Sequence, residues 1–536
     1  MKKSIKIFFF FLVLILFDLT GAGQNTDFQS ELPIFIIDTN GREIVDEPKT
    51  TATLKIINNG NNQTNRFTDA PTDYNGFVGI EIRGASSSHY PQKPYLFETR
   101  DSMGENNNVS LLDMPEENDW VLLSNYNDKS FVRNSLAFHL FEKMGNYATR
   151  TCLCEVFVNN EYQGIYLFGE KLKRDKNRID ISKLLLVDNS GEELTGGYIF
   201  KVDYTDGDDY WTSMFSPPNH PDFKVRFIYY YPDTKDITPQ QKNYLKNYVD
   251  DFEDALYNKE LADLESGYRS FINDLSFIDY FLISEVSRNN DGFQKSRYFH
   301  KDKNGVINAG PVWDFDWAWK NINGCNIFKN TNGSGWAYQV NDCNPRVKSP
   351  GWMIKILQDK SFANQINCRY FALRENVLSE NYICHFIDSL ANLVENAQER
   401  HYNKYAILGQ NVGAPEVDEQ PETYSGEVEK LKNWISIRLI WLDKYMVGNC
   451  DGNVYDETDE ILAIYPNPAT DEIYLNSEKD FKEIEIYNTL GKLCFKQRIY
   501  SKDAIKLNIS SFQPGMYIAR ALFTDGNLST KKFVIY

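Results

Sequence analysis

Apolar positions alternate along the first third of the chain. Pro33-Ile-Phe-Ile-Ile37 and Thr51 to Ile57 flank the turn Asp38-Thr-Asn-Gly41, which predicts two short strands. Val78, Ile80 and Ile82 keep the two-residue period, Gly84-Ala-Ser-Ser-Ser88 breaks it, and Pro94 to Phe97 resumes it. At Val132, Leu136, Leu140 and Met144 the spacing becomes that of one helix face, closed by Gly145 and capped by Asp128 or Ser130. Glu155 to Val158 and Gly164 to Phe168 predict a hairpin turning at Asn159-Asn160. Thr195 to Tyr204 predicts a strand, followed by a Pro/Asp-rich irregular stretch to about residue 238. Residues 239–258, 276–287, 352–400 and 423–446 carry helical periods, and Lys295 to His300 pairs with Val306 to Gly310 around Asp302-Lys-Asn-Gly305. After the polar, acidic stretch Asn449 to Glu460, short alternating segments from Glu472 to Ile535 predict a small β-sandwich. The expected fold class is α+β with an all-β tail. Its parts are a leader at 1–23, an N-terminal β segment at 24–62, a mixed body at 63–447, a linker at 448–460 and the sandwich at 461–536.

Charge and the N-terminus narrow the setting. Lys plus Arg number 57 against 75 Asp plus Glu, a net charge of −18, which makes the chain a poor partner for nucleic acid. Lys2, Lys3 and Lys6 precede the apolar run Ile7 to Phe17 and the small residues Thr20-Gly21-Ala22-Gly23, the layout of a secretory signal peptide. No second apolar stretch is long enough to span a bilayer, so no transmembrane helix is expected in the mature protein. Export permits disulfides. Cys325 and Cys343 flank a Gly/Asn-rich loop that they could bridge, and Cys152 and Cys154 share a strand face; buried free thiols fit each pair as well. There is no H-E-x-x-H, no G-x-S-x-G and no C-x-x-C, so zinc-protease, serine-hydrolase and zinc-ribbon readings lack support.

The chemistry gathers in three stretches. In the first, a helix ends at Ser287-Arg-Asn-Asn-Asp291-Gly292, a hairpin follows, and Pro311-Val-Trp-Asp-Phe-Asp316 comes next. Asp291 and Asp314 thus lie 23 residues apart, in the order phosphoryl transfer requires: one carboxylate takes the acceptor's proton and a second holds Mg²⁺. Asp314 and Asp316 are two apart and in an extended segment would face one cation. The bland alternatives are a turn at Asp291-Gly292 and a helix cap at Asp316. In the second stretch, Arg83, Gly84, Ser86 and Ser87 form a small-residue loop before Lys93, suited to cradling nucleotide phosphates. In the third, Glu170 shares strand parity with Tyr166 and Phe168 and needs a partner, for which Lys93 is a candidate; a solvent-facing strand end is the bland alternative. The acidic run Asp203, Asp206, Asp208 and Asp209 reads as a solvated loop in preference to a Ca²⁺ site, since it lacks EF-hand spacing.

Taken together, Ile82-Arg-Gly-Ala-Ser-Ser87 with Lys93, Trp120 with Asp128 to Asn134, Gly164 to Glu170, Asn290-Asp291 and Val312-Trp-Asp-Phe-Asp316 resemble the spore-coat-H (CotH) family of atypical secreted kinases over roughly residues 31–446. The resemblance implies a kinase-like fold, ATP and Mg²⁺ as cofactors, and phosphorylation of Ser or Thr on exported proteins. By that analogy Asp291 is the catalytic carboxylate, Asp314 the metal ligand and Lys93 a phosphate contact. Two departures stand out. Ser296 occupies the position of the second metal ligand, where kinases carry Asn, and Ala follows Gly84 where the family favours Asn. Asp316 would then help to complete the metal site. At the C-terminus, Tyr465-Pro-Asn-Pro468, Ile484 to Gly491, Leu507-Asn-Ile509, Pro514-Gly-Met-Tyr517 and Lys531-Lys532 resemble the type A sorting domain of type IX secretion. That implies a Bacteroidetes-type exporter, engagement of the type IX machinery and removal of the domain on arrival. A second functional reading is a catalytically silent surface scaffold or adhesin, glycan-binding through its many Tyr and Trp. Convergence of Asp291, Asp314 and Lys93 on one hollow separates the two.

Overall fold

A computed structural model describes residues 25–60, 63–261, 267–450, 462–477, 479–488, 492–501, 504–524 and 528–535. The expected signal peptide and most of the expected linker lie outside the described residues.

Seven strands close into a barrel: β1 Ile34–Asp38, β2 Thr50–Ile57, β3 Tyr74–Ile82, β4 Tyr95–Arg100, β5 Asp119–Ser124, β6 Thr151–Val158 and β7 Glu161–Glu170. The order around it is β1-β2-β3-β4-β5-β7-β6, and parallel pairing of β1 with β6, Ile34 opposite Glu155, shuts the ring. The alternating residues Phe35, Leu54, Val78, Ile80, Phe97, Trp120, Val156 and Phe168 point inward and fill it. The residue 24–62 segment, expected as a separate unit, therefore supplies two staves of the same barrel. Asn159 and Asn160 turn the β6–β7 hairpin with positive φ at both positions, a conformation that Asn tolerates well. Cys154 lies inside the barrel and Cys152 packs against its core, both as free thiols.

Helix α1 (Arg133–Lys143) follows β5. Asp128, five residues before it, accepts from the Arg133 backbone N–H at 2.8 Å and pairs with the Arg133 guanidinium. The expected capping carboxylate thus acts from outside the cap position, which Val132 fills. A second sheet runs β9-β10-β8-β11-β12, with β8 Tyr198–Val202, β9 Tyr210–Thr212, β10 Arg226–Tyr231, β11 Arg297–Lys301 and β12 Ile307–Ala309. Helices α2 (Pro239–Asn258) and α3 (Asp274–Val286) share its apolar core, through Phe252, Phe277 and Trp352 against Phe227 and Phe299. Thr238 and Gln241 cap α2 reciprocally. Helices α4 (Lys360–Arg374), α5 (Glu380–Leu393) and α6 (Tyr424–Tyr445) complete the body. Cys325 bonds to Cys343 across the Gly/Asn-rich loop, and Cys368 on α4 bonds to Cys450.

The tail is a two-sheet antiparallel sandwich. Ala463–Tyr465, Glu472–Asn476 and Ile505–Asn508 form one sheet; Phe481–Asn488, Leu493–Ser501, Gly515–Phe523 and Leu528–Ile535 form the other. Ile473, Leu475, Ile484, Ile486, Ala519 and Phe533 make its core. No helix of the described residues is long and apolar enough to cross a membrane.

Candidate functional site

A cleft of about 210 Å³ lies where the barrel meets the second sheet. Arg83, Gly84, Ser86, Ser87, Asp291, Ser296, Asp314 and Asp316 all line it. The loop after β3 supplies its lid. Gly84 takes φ +91°, and a side chain there would collide with the Ser87 hydroxyl. Among the described hydrogen bonds, the N–H groups of Gly84, Ala85 and Ser86 have no acceptor in the chain. Arg83 stacks on Trp313 at 5.3 Å.

Asp291 and Asp314 come together because of Asn289. Its side-chain oxygen accepts from the Asp291 N–H at 3.0 Å, and its amide donates to the Asp314 carbonyl at 3.3 Å. The turn that carries Asn289 is fixed from below. Arg288 is buried and donates to the carbonyls of Asn330, Ser334 and Phe328 and to the Asn321 side chain. On the far side, Asn134 accepts from the Phe315 N–H at 2.7 Å, and Asn127 donates to the Asp316 carboxylate at 3.0 Å. Asp314 itself sits at φ +69° and Ser296 at +49°, left-handed conformations uncommon for residues other than glycine and Asn. The Ser296 hydroxyl donates to the Asp314 carboxylate at 2.9 Å.

Charge is concentrated here. Burial, with the Asp314 carboxylate adding to it, pushes Asp291 up to about 7 despite the Lys295 ammonium 3.2 Å away. Burial and Asp314 likewise push Asp316 up to about 8. Burial works against the Lys295 charge, but Asp291 and Asp314 outweigh it and raise its pKa. Such a group of crowded oxygens is hard-donor chemistry, and a divalent cation would relieve its repulsion. Among the described residues no three acidic, His or Cys side chains converge as a ready ligand cage. The donor set fits Mg²⁺, which is usually held by one or two carboxylates plus phosphate and water.

Two expected residues are elsewhere. Lys93 does not line the cleft; its ammonium donates to the Ser88 carbonyl at 2.8 Å, bracing the lid from behind. Pro94 separates it from the strand whose parity was to aim it. Glu170 is fully buried and answers to Arg150 at 2.7 Å, Tyr147 at 3.1 Å and Arg178 at 3.7 Å, so it is a structural carboxylate of the barrel end. Two lysines do line the cleft: Lys295, 3.2 Å from the Asp291 carboxylate, and Lys201 on β8, held 3.4 Å from Asp203 and lying over the Tyr230 ring. Lys201, Lys295 and Asn289 escaped the sequence reading. Lys295, four residues from Asp291, was the one with a visible signal. The acidic loop is ion-paired: Asp203 and Asp208 face Lys201, Asp209 meets Lys242, and Asp206 meets Arg346.

A family model described as CotH kinase protein matches residues 80–442, and one described as secretion system C-terminal sorting domain matches residues 463–536. No curated protein matches the chain.

Proposed function

The chain belongs to the CotH kinase protein family, and from the cleft we propose that it transfers the γ-phosphate of ATP, with Mg²⁺, to a Ser or Thr hydroxyl of an exported protein. Its C-terminal domain directs it through the type IX secretion system to the cell surface or beyond. The observation that carries the proposal is the shared hollow: Asp291, Asp314 and Lys201 line one cleft under the Gly84–Ser87 loop.

Each group then has a task. The free N–H groups of the lid and the Lys201 ammonium bind and orient phosphate oxygens. Asp314 and Asp316 would hold Mg²⁺, which supplies charge neutralisation on the phosphates when bound. Asp291 orients the acceptor hydroxyl and takes its proton as the new bond from oxygen to the γ-phosphorus forms; the bond from that phosphorus to ADP breaks. A base poised near neutrality suits this task, and Lys295 steadies its charged form.

The test is calorimetric titration of the full chain with MgATP, beside Asp314→Ala and Asp291→Asn, followed by transfer of labelled γ-phosphate to protein acceptors. The expected pattern is binding lost in Asp314→Ala, and binding kept but transfer lost in Asp291→Asn. Absence of nucleotide binding in the parent chain, or an unchanged Asp314→Ala, sinks the proposal. It would favour the silent-scaffold reading.

A further inference from the structure

Beside the candidate site lies a second cavity, of about 410 Å³, and Asp203 and Tyr204 line both. Its walls carry Lys224, Arg226, Arg346 and Lys348, four cations in a chain where acids outnumber bases 75 to 57. In such a chain a surface cation readily finds a carboxylate, yet three of these have not. Among the described contacts Lys224 has no hydrogen-bond or ion-pair partner. Arg226 reaches only the Thr205 hydroxyl at 3.5 Å and lies over the Tyr210 ring at 5.0 Å. Lys348 donates to the neutral oxygens of Asn344 and Pro345 and sits 4.0 Å over the Phe223 ring. Only Arg346 meets an acid, Asp206, at 3.4 Å, and both are largely exposed. Asp203 is turned to Lys201, leaving Asp222 as the lining acid with no cation within 4.0 Å among the described residues.

The two hollows are joined through Tyr204. Lys295 of the candidate site lies 5.5 Å from its ring and Arg346 of the cavity 4.8 Å from the same ring. A peptide whose hydroxyl reaches Asp291 would therefore lay its neighbouring residues along this basic wall. We propose that the cavity is the acceptor-side subsite, holding carboxylate or phosphate groups carried on the exported peptide next to the hydroxyl that is modified. The assignment rests on the phosphotransfer reading for the word acceptor, and on the unpaired cations for the chemistry of the ligand.

The test uses three labelled peptides of equal length around one Ser, flanked by Glu, by Gln or by phosphoserine. Their binding to the full chain without nucleotide is followed by fluorescence anisotropy. Charge-assisted contacts to two or more of these cations predict that the Glu or the phosphoserine peptide binds ~10-fold tighter than the Gln peptide. A preference confined to phosphoserine identifies phosphate as the anion; equal preference for both identifies charge alone. Lys224→Gln with Arg226→Gln, both at exposed positions, abolishes the discrimination and leaves MgATP affinity unchanged. The proposal is overturned if the three peptides bind alike or if the double variant still discriminates. It is also overturned if that variant loses MgATP affinity instead, or if an oligothymidylate displaces the peptides at lower concentration than the unlabelled form of the tightest-binding peptide does. Peptides that bind as stated but never gain phosphate count against the phosphotransfer reading; a Gln peptide phosphorylated as fast as both the Glu and the phosphoserine peptides counts against the subsite.

Discussion

Replacing Lys201 by Met, beside Lys93 by Met, asks which ammonium serves the phosphates. Lys201 lines the cleft with a side chain only 15% exposed, held by Asp203 at 3.4 Å and Asp208 at 3.7 Å. Met keeps most of the volume and removes the charge. A hydrogen bond to a charged group contributes about 1.5–3 kcal/mol, so losing one to a phosphate weakens binding by roughly 10- to 100-fold. The variant also leaves Asp203 and Asp208 without their ammonium beside a polyanion, which moves the loss toward the upper end. Lys93 donates to the Ser88 carbonyl outside the cleft, so Lys93→Met is expected to hold MgATP within about threefold of the parent, since only one partly exposed contact to a neutral oxygen goes. Isothermal titration of the full chain measures both, with thermal melting to verify that each variant folds. Parent-like affinity in Lys201→Met, or a tenfold loss in Lys93→Met, refutes the assignment of the phosphate-facing cation.

Other expected outcomes follow from the packing. Glu285 and Arg438 are both fully buried and bonded at 3.0 Å, and Glu285 also accepts from the N–H groups of Ala337 and Tyr338; Glu285→Ala leaves the buried guanidinium its backbone carbonyls but no counter-charge, and should cost about 3–5 kcal/mol in urea unfolding. Burial pushes Glu253 from its ordinary 4.5 up to about 7. Its contribution to stability is thus complete below pH 4.5 and is lost as pH rises through 7, a span of up to about 3 kcal/mol that Glu253→Gln should flatten when unfolding midpoints at pH 5 and pH 8 are compared. Ser296→Asn places a residue at ease with positive φ where Ser is strained, and adds an amide oxygen beside Asp314. Its melting temperature should not fall, and its Mg²⁺-dependent nucleotide affinity should rise. Asn289→Ala removes the brace between the two carboxylate loops, so MgATP affinity should drop by about tenfold or more while far-ultraviolet circular dichroism stays unchanged.

What could be seen in the sequence depended on how local its cause was. The helix Pro239–Asn258 and the Asn-Asn hairpin are fixed by neighbouring residues, through a capping box and a turn that demands positive φ, and the periodic pattern marks them. The carboxylate pair stood out because helix, hairpin and Asp occur in succession. Barrel closure did not, because β1 meets β6 across some 120 residues, and alternation says nothing of a strand's partner. Glu170 finds its partners in Arg150 and Arg178, which reach it through the folded barrel end, and parity within one strand does not encode them. Lys201 lay in a plain strand whose sequence carries no mark, and only the second sheet's order brings it to the cleft that Asp291 and Asp314 also line.

The bond from Cys368 to Cys450 bears on what the body looks like once it has travelled. Asn367 also grips this end, donating to the carbonyls of Val447 and Gly448 and accepting from the Cys450 N–H. A protease that severs the chain beyond residue 450 therefore releases the passenger with its new terminus already knotted to a helix, so trimming starts no unravelling from that side.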